Sequence, residues 1–343
     1  VLFGGTDPNA VAPVAFEDTW EWNGTNWSEK TVTPHPSGRS NATAAFDARN
    51  KRFTLIGGED ANGDTNAELW YWQGTAWSQA TIDGASPSAR FGAAAEYVPG
   101  KNIFLFGGST GDDTAWRWDS AGGEWSTMDK YSTPGAISHN AFFYDTARKN
   151  VVSYGGSTKS NSINDLNATL TWNGTSWSQA AAGTMYVGGT GFAFDSSRTQ
   201  AVLLGGYGAN GTGGSTNLYL QTVGANSAVA MTVTWDGTTW TERTVTNGPY
   251  PRGDLGMVYD SKRQRVVAFG GYQPQVSGGC GVYAAKYYND IWAWDGSTWT
   301  DITPVGALPA ARQGMAMAYD AMRDRIVLFG GSGAGNTVYS DTW

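Results

Sequence analysis

The sequence predicts an all-β chain of repeated four-stranded antiparallel sheets, on three observations. An apolar run ending in Gly-Gly occurs seven times at intervals of about 48–65 residues: "VLFGG" (1–5), "FTLIGG" (53–58), "IFLFGG" (103–108), "VVSYGG" (151–156), "AVLLGG" (201–206), "VVAFGG" (266–271) and "IVLFGG" (326–331). Paired tryptophans bracketing a turn recur as "WNGTNW" (22–27), "WQGTAW" (72–77), "WNGTSW" (172–177), "WDGTTW" (235–240) and "WDGSTW" (294–299), with a looser copy, "WDSAGGEW", at 118–125. Apolar runs are short, bounded by Gly, Asn, Asp, Ser and Thr, and lack helical spacing, which is the pattern of many short strands.

Between one Gly-Gly and the next, the same events recur in order. A variable loop precedes a strand such as "DTWEW", then comes an Asn/Asp-Gly turn and a strand opening on Trp. A Pro-containing link follows, then a small-residue strand such as "GMAMAYD" and a basic turn such as "AMRDR". Strand a ends on Phe/Tyr-Asp, b on Gly-Gly, c carries Trp-x-Trp, and d opens on Trp. Asn-Gly and Asp-Gly predict a type I′ turn between c and d, with positive φ matched to a two-residue hairpin. The small residues of strand a suit a crowded place beside a central axis. One such meander cannot bury both faces, but a closed ring of them can.

All seventeen tryptophans fall in three slots of the repeat. Trp20, Trp70, Trp116, Trp292 and Trp343 come first in strand c; Trp22, Trp72, Trp118, Trp172, Trp235 and Trp294 come second; Trp27, Trp77, Trp125, Trp177, Trp240 and Trp299 open strand d. Residues two apart on a strand share a face, so the c-strand pair is expected to project toward a neighbouring sheet, with the d-strand ring covering it. A buried indole hides on the order of 150–250 Å², a gross contribution of ~4–6 kcal/mol each as an upper bound. Tryptophan is therefore read as packing between sheets and not as a stacking platform for sugars or bases.

The Gly-Gly doublet after an apolar strand, followed by spaced aromatics and a turn before Trp, resembles the kelch repeat, in particular the bacterial "GG…DTW.WDG..W" variety. The resemblance covers essentially the whole chain. It implies a single kelch β-propeller domain over residues 1–343, with four-stranded blades around a central channel. Seven b and seven c strands are expected, but only six a and six d strands, so the first and last of seven blades are incomplete within this chain. A start at Val1 and a stop at Trp343 inside strand c lead to the expectation of a longer, trimmed or cleaved protein.

Composition excludes several function classes. A net charge of −8 argues against a nucleic-acid partner, which would require a basic groove. No apolar segment approaches the roughly 18–20 residues that span a bilayer. The single cysteine, Cys280, excludes an internal disulfide framework and a multi-cysteine metal site. Copper radical oxidases among kelch proteins need two His ligands and a Tyr cross-linked to Cys. Cys280 does stand near Tyr283, Tyr287 and Tyr288, but the only histidines are His35 and His139, and that set does not map. No paired carboxylates, phosphate loop or nucleophile elbow appears, and the catalytic set is empty. "DANGDTN" (60–66) alternates oxygen side chains, with Asp60, Asn62 and Asp64 as a weak Ca²⁺ candidate that lacks the terminal bidentate Glu. No other cofactor is implied.

In such a meander the b–c loops and the starts of strands a share one rim. The c–d turns are short and stereotyped, whereas the b–c loops vary, and variable loops carry binding. The longest, 207–229 and 272–289, present Tyr207, Tyr219, Tyr272, Tyr283, Tyr287 and Tyr288 as candidate contacts. At the start of strand a stand Arg39, Arg90, Arg252 and Arg312, with His139 in the matching slot of another repeat. One reading makes these a carboxylate clamp at the channel mouth, since an Arg fork binds carboxylates bidentately. The favoured reading pairs each Arg with a carboxylate at the start of strand c (Asp18, Glu68, Asp165, Asp290 or Asp341), fastening neighbouring blades. The opposite rim holds the basic a–b turns.

The function expected is that of an exported or cell-surface module, binding a protein or glycan through the b–c rim, within a larger surface assembly. The alternative is a sugar-modifying or oxidase-type enzyme with its site at the Arg-lined mouth. A cytosolic adaptor is disfavoured.

Overall fold

A computed structural model describes residues 1–7, 14–109, 114–128, 137–138, 140–155, 157–158, 167–183, 189–209, 216–218, 220–224, 227–278 and 281–343. The chain is all-β; Ala334–Asn336 is the one helical turn among the described residues. Among the described residues no helix is long and apolar enough to cross a membrane. Five four-stranded antiparallel sheets follow one another, each with its strands hydrogen-bonded in chain order a-b-c-d. Numbered in chain order, with the partial first and last sheets included and the two-stranded loop ribbons left out, the sixth sheet, for example, is Gly256–Asp260, Arg265–Phe269, Ile291–Trp294 and Trp299–Asp301. The first sheet has three strands, Leu2–Thr6, Ala15–Trp22 and Trp27–Glu29. The last pairs Ala316–Asp320 with Arg325–Phe329, and Trp343 adds two backbone hydrogen bonds to Leu328.

The chain divides into two compact units. One comprises Val1–Tyr144, Asn150–Asp165 and Leu170–Ser178; the other comprises Asp145–Lys149, Leu166–Thr169 and Gln179–Trp343. Within each, tryptophans of one sheet pack on the sheet before it. Trp116, Trp118 and Trp125 of the third sheet close over Leu69, Tyr71 and Ile56 of the second. Trp292, Trp294 and Trp299 of the sixth close over Val202, Leu204 and Val229 of the preceding repeat. The second c-strand indole and the d-strand indole lie against each other across the hairpin, with centroids 5.4 Å apart for Trp72–Trp77, 5.2 Å for Trp235–Trp240 and 5.4 Å for Trp294–Trp299.

Two polar bonds recur beside this apolar packing. The d-strand indole N–H donates to a buried threonine on strand c of the preceding sheet: Trp77 to Thr19 (2.7 Å), Trp240 to Thr169 (2.7 Å) and Trp299 to Thr232 (2.9 Å). In the second and third sheets the second c-strand indole donates to the residue between the two c-strand tryptophan slots of the preceding sheet, Trp72 to Glu21 and Trp118 to Tyr71, each at 2.7 Å, whereas Nε1 of Trp172, Trp235 and Trp294 is buried without a partner among the described residues. Where the sequence breaks the pattern the bond is lost. Leu69 stands in the threonine slot facing Trp125, whose Nε1 is buried without a partner.

Small residues in strand a have a direct cause. A Cβ on Gly256 would lie 2.2 Å from Met317 Sδ on strand a of the next sheet. The first glycine of each doublet turns at positive φ, and a Cβ on Gly205 (φ 63°) would meet the Arg252 carbonyl oxygen at 2.2 Å.

The c–d turn differs from the expected type I′. Trp22 pairs with Trp27, leaving a four-residue loop in which Gly24 has positive φ (101°) while Asn23 does not. The Asn23 side-chain oxygen accepts the amides of Thr25 and Asn26 at 2.8 Å, and Asp236 and Asp295 do the same for their loops. An Asx side chain that caps two amides needs left-handed backbone only at the following glycine.

Candidate functional site

The starts of the a strands hold a repeated polar cradle. Arg39, Arg90, Arg252 and Arg312 are buried, at 2 % exposure or less. Each Nε donates to the carbonyl two residues back, and each Nη1 donates to the first glycine of its own sheet's doublet: Gly57, Gly107, Gly270 and Gly330. Arg39 also pairs with Glu68 at 2.7 Å, while Arg252 and Arg312 make two-pronged pairs with Asp290 and Asp341. The same carboxylates accept the indole N–H two residues on, from Trp70, Trp292 and Trp343.

Burial works against the charge of Glu68 and Asp290, yet bonds from Arg39 and Arg252 outweigh it and hold both below the ordinary range. The Arg312 bonds hold Asp341 down at about 2. The expected partners Glu68, Asp290 and Asp341 are therefore engaged, but each pair closes within one sheet, joining the start of a to the start of c. It is the arginine backbone that reaches the sheet before. The carbonyls of Arg39, Arg90, Arg252 and Arg312 accept the amides of Gly5, Gly58, Gly206 and Gly271 at 2.8–2.9 Å.

The opposite turns carry their own carboxylate–arginine pairs. Asp195 and Asp260, buried at the ends of their a strands, accept amides of their own a–b turns and pair with Arg198 and Arg263. Those arginines then reach the next turn, at the Gln264 carbonyl (2.7 Å) and the Asp324 carboxylate (2.8 Å).

The b–c loops of the second unit fold back as short ribbons. Tyr207–Ala209 pairs with Thr216–Leu218, Leu220–Gly224 with Ser227–Ala230, Tyr272–Gln273 with Lys286–Tyr287, and Val276–Gly278 with Gly281–Tyr283. The third ribbon places Tyr272 opposite Tyr287 and Gln273 opposite Lys286, so its two faces differ. On one face the Tyr272 and Tyr287 rings lie 4.6 Å apart, and the Tyr207 hydroxyl stands 3.1 Å from both Asp254 Oδ2 and the Tyr272 carbonyl oxygen. On the other, the Tyr288 ring has the Arg252 guanidinium at 3.5 Å and the Lys286 ammonium at 4.7 Å from its centroid. The Tyr288 hydroxyl bonds Gln273 at 2.6 Å, and the exposed Tyr250 ring stacks 6.4 Å away.

Of the sequence candidates, Tyr207, Tyr272 and Tyr287 come together in one cluster, and Tyr288 joins Arg252 in the other. His139, Tyr219, Asp165 and Cys280 lie outside the described residues, and Tyr283 is described only as ribbon backbone. Asp60 caps its own loop: its Oδ1 accepts the amides of Asn62 (2.8 Å) and Asp64 (3.0 Å), and these bonds lower its pKa. Among the described residues no group of three or more His, Cys, Asp or Glu gathers in metal-binding geometry.

Sequence reading missed Tyr250 and Lys286, which follow no repeat position, and Asp254, which fills a left-handed slot held by Asn41, Gly189 and Gly314 in other repeats. It also missed Glu96. Strand a carries Ala45, Phe143, Ala193, Val258 and Ala318 at its midpoint in other sheets but Glu96 in the third, and burial pushes that carboxyl up to about 7.

Comparison of the coordinates with solved structures finds 235 similar chains. One is YjhT, a kelch-type β-propeller, which superposes with a TM-score of 0.57 over 90 % of this chain and 95 % of that one, at 15 % identity. The likeness is one of fold. It supports a β-propeller. No protein-family model matches the sequence, and no curated protein matches it. In propeller terms the repeated sheets are blades, and the tyrosine clusters stand on b–c loops of the fifth and sixth.

Proposed function

We propose that this chain is a kelch-type propeller of seven blades that serves as an exported or cell-surface binding and scaffold module. Its partner, a protein or a glycan, docks on the b–c loop rim of the second unit. One observation carries the reading: the two longest b–c loops form ribbons that gather partly exposed tyrosines, whereas the c–d turns are capped four-residue loops. Tyrosine supplies rigid, amphipathic contact area at low entropic cost. The buried arginines of the cradle favour binding at the rim over chemistry at the channel mouth, because their donors are engaged by glycine carbonyls and carboxylates. Export accords with few lysines, abundant Thr, Ser, Asn and Gly, and a single cysteine.

The test replaces 207–229 and 272–289 separately with short Gly-Ser connections and screens each purified chain against a glycan array and candidate surface proteins. Loss of binding by a chain that keeps its β-sheet circular-dichroism spectrum and a cooperative melt supports the rim. Binding that survives both replacements refutes it.

A further inference from the structure

The carboxyl group of Asp254 is short of hydrogen-bond donors. Its backbone occupies the left-handed region (φ 51°), in a slot where flanking blades of the same unit place Gly189 (φ 60°) and Gly314 (φ 64°). Asp254 N donates to the Gly189 carbonyl at 2.6 Å, and Gly314 N donates to the Asp254 carbonyl at 2.9 Å. A position that suits glycine has thus been given a carboxylate. Its hydrogen-bond partner is the Tyr207 hydroxyl, and that hydroxyl is equally near the Tyr272 carbonyl, at 3.1 Å. A phenol has one proton, so two acceptors compete for it, and Oδ1 receives no hydrogen bond among the described residues. Nor does any lysine or arginine there form an ion pair with Asp254. Burial pushes both the Asp254 carboxyl and the Tyr207 phenol up in pKa. Both groups pack directly on glycine backbone: a Cβ on Gly253 would lie 2.5 Å from the Tyr207 ring, and one on Gly189 would lie 2.6 Å from Asp254 Oδ1.

A half-buried carboxylate beside tyrosine rings is the equipment of an ammonium receptor, since the rings attract a cation through their π faces. A sugar hydroxyl would donate one hydrogen bond but bring no charge to offset the buried carboxylate. An ammonium brings three donors and the charge. The chain's net charge of −8 draws cations toward it.

We propose that Asp254, Tyr207, Tyr272 and Tyr287 form a receptor for a primary ammonium group, a lysine side chain presented by a protein partner. The proposal rests on the reading of the b–c rim as the binding surface and names the chemistry that one part of it selects.

The test is fluorescence anisotropy of a labelled Gly-Lys-Gly-Lys-Gly peptide and its norleucine twin against the full chain. Binding of the lysine peptide alone, weakened about tenfold by Asp254→Asn and unaffected by Glu124→Gln, supports the receptor. Equal weakening by both variants reduces the attraction to general electrostatics and overturns it. So does equal binding of the two peptides, or none. Asp254→Gly restores the residue the backbone favours, so it is expected to raise the melting temperature while abolishing peptide binding; a fall in melting temperature makes Asp254 a structural residue and overturns the proposal. A chain that binds glycans through the two loops, with Asp254→Asn unchanged, overturns this receptor while leaving the rim reading intact.

Discussion

The indole N–H of Trp299 donates to the hydroxyl of Thr232 at 2.9 Å, with both side chains buried, and so ties strand d of the sixth blade to strand c of the fifth. Thr232→Val keeps the shape and removes the acceptor, leaving a buried donor unpaired. The expected loss is about 1–3 kcal/mol, read by urea unfolding, with a smaller loss for Thr232→Ser, which keeps the hydroxyl.

The cradle arginines predict a stability effect. Arg252→Ala strands Asp290 and the Gly270 carbonyl, and breaking such a buried pair costs about 3–5 kcal/mol. Arg252→Lys is expected to rescue little, because one ammonium cannot reproduce the fork. A guanidinium held in reserve for a ligand would instead be removed with no change in the melting temperature.

Thr199 ends its a–b turn at φ 53°, a left-handed conformation that suits a β-branched residue poorly. Its carbonyl accepts Arg148, a bond any residue can make. Thr199→Asn is therefore expected to stabilise the chain by about 0.5–1 kcal/mol, read as a raised melting temperature.

Glu96 sets a pH dependence. Its folded pKa of about 7 lies above the ordinary 4.5, so its contribution is fully present below pH 4.5, falls as pH rises, and is lost above pH 7. The carboxylates held near 2, Asp236 and Asp341, act in the other direction and lose their contribution only in stronger acid. Thermal melts across pH 4–8 are expected to decline through this window in the parent chain and to flatten in Glu96→Gln.

Much of this architecture is legible in the residues because it repeats. The glycine doublets, the Trp-x-Trp strands and the aspartates ending strand a each answer one steric or hydrogen-bonding demand, repeated from sheet to sheet. The turn type was not legible, because Asn-Gly serves both a type I′ turn and an Asx-capped loop, and only the register of Trp22 on Trp27 separates them. The partner of Arg252 was readable as a carboxylate, but its place within the same blade depends on how strand b is spanned. Glu96 stayed hidden because it is a single departure from a slot that other repeats fill with an apolar residue, and Asp254 because its slot also takes Asn41 at the same left-handed φ, so that a polar residue there is no signal of a site. Without coordinates, an isolated departure resembles surface variation.

The proposed function gives the aromatics two roles: tryptophans hold the sheets together, and rim tyrosines meet a partner. Urea unfolding of Trp294→Ala, Trp299→Ala, Tyr272→Ala and Tyr287→Ala tests that division directly. The tryptophan variants are expected to lose about 3–5 kcal/mol each and the tyrosine variants less than about 1.5 kcal/mol. Equal losses in the two sets would contradict it.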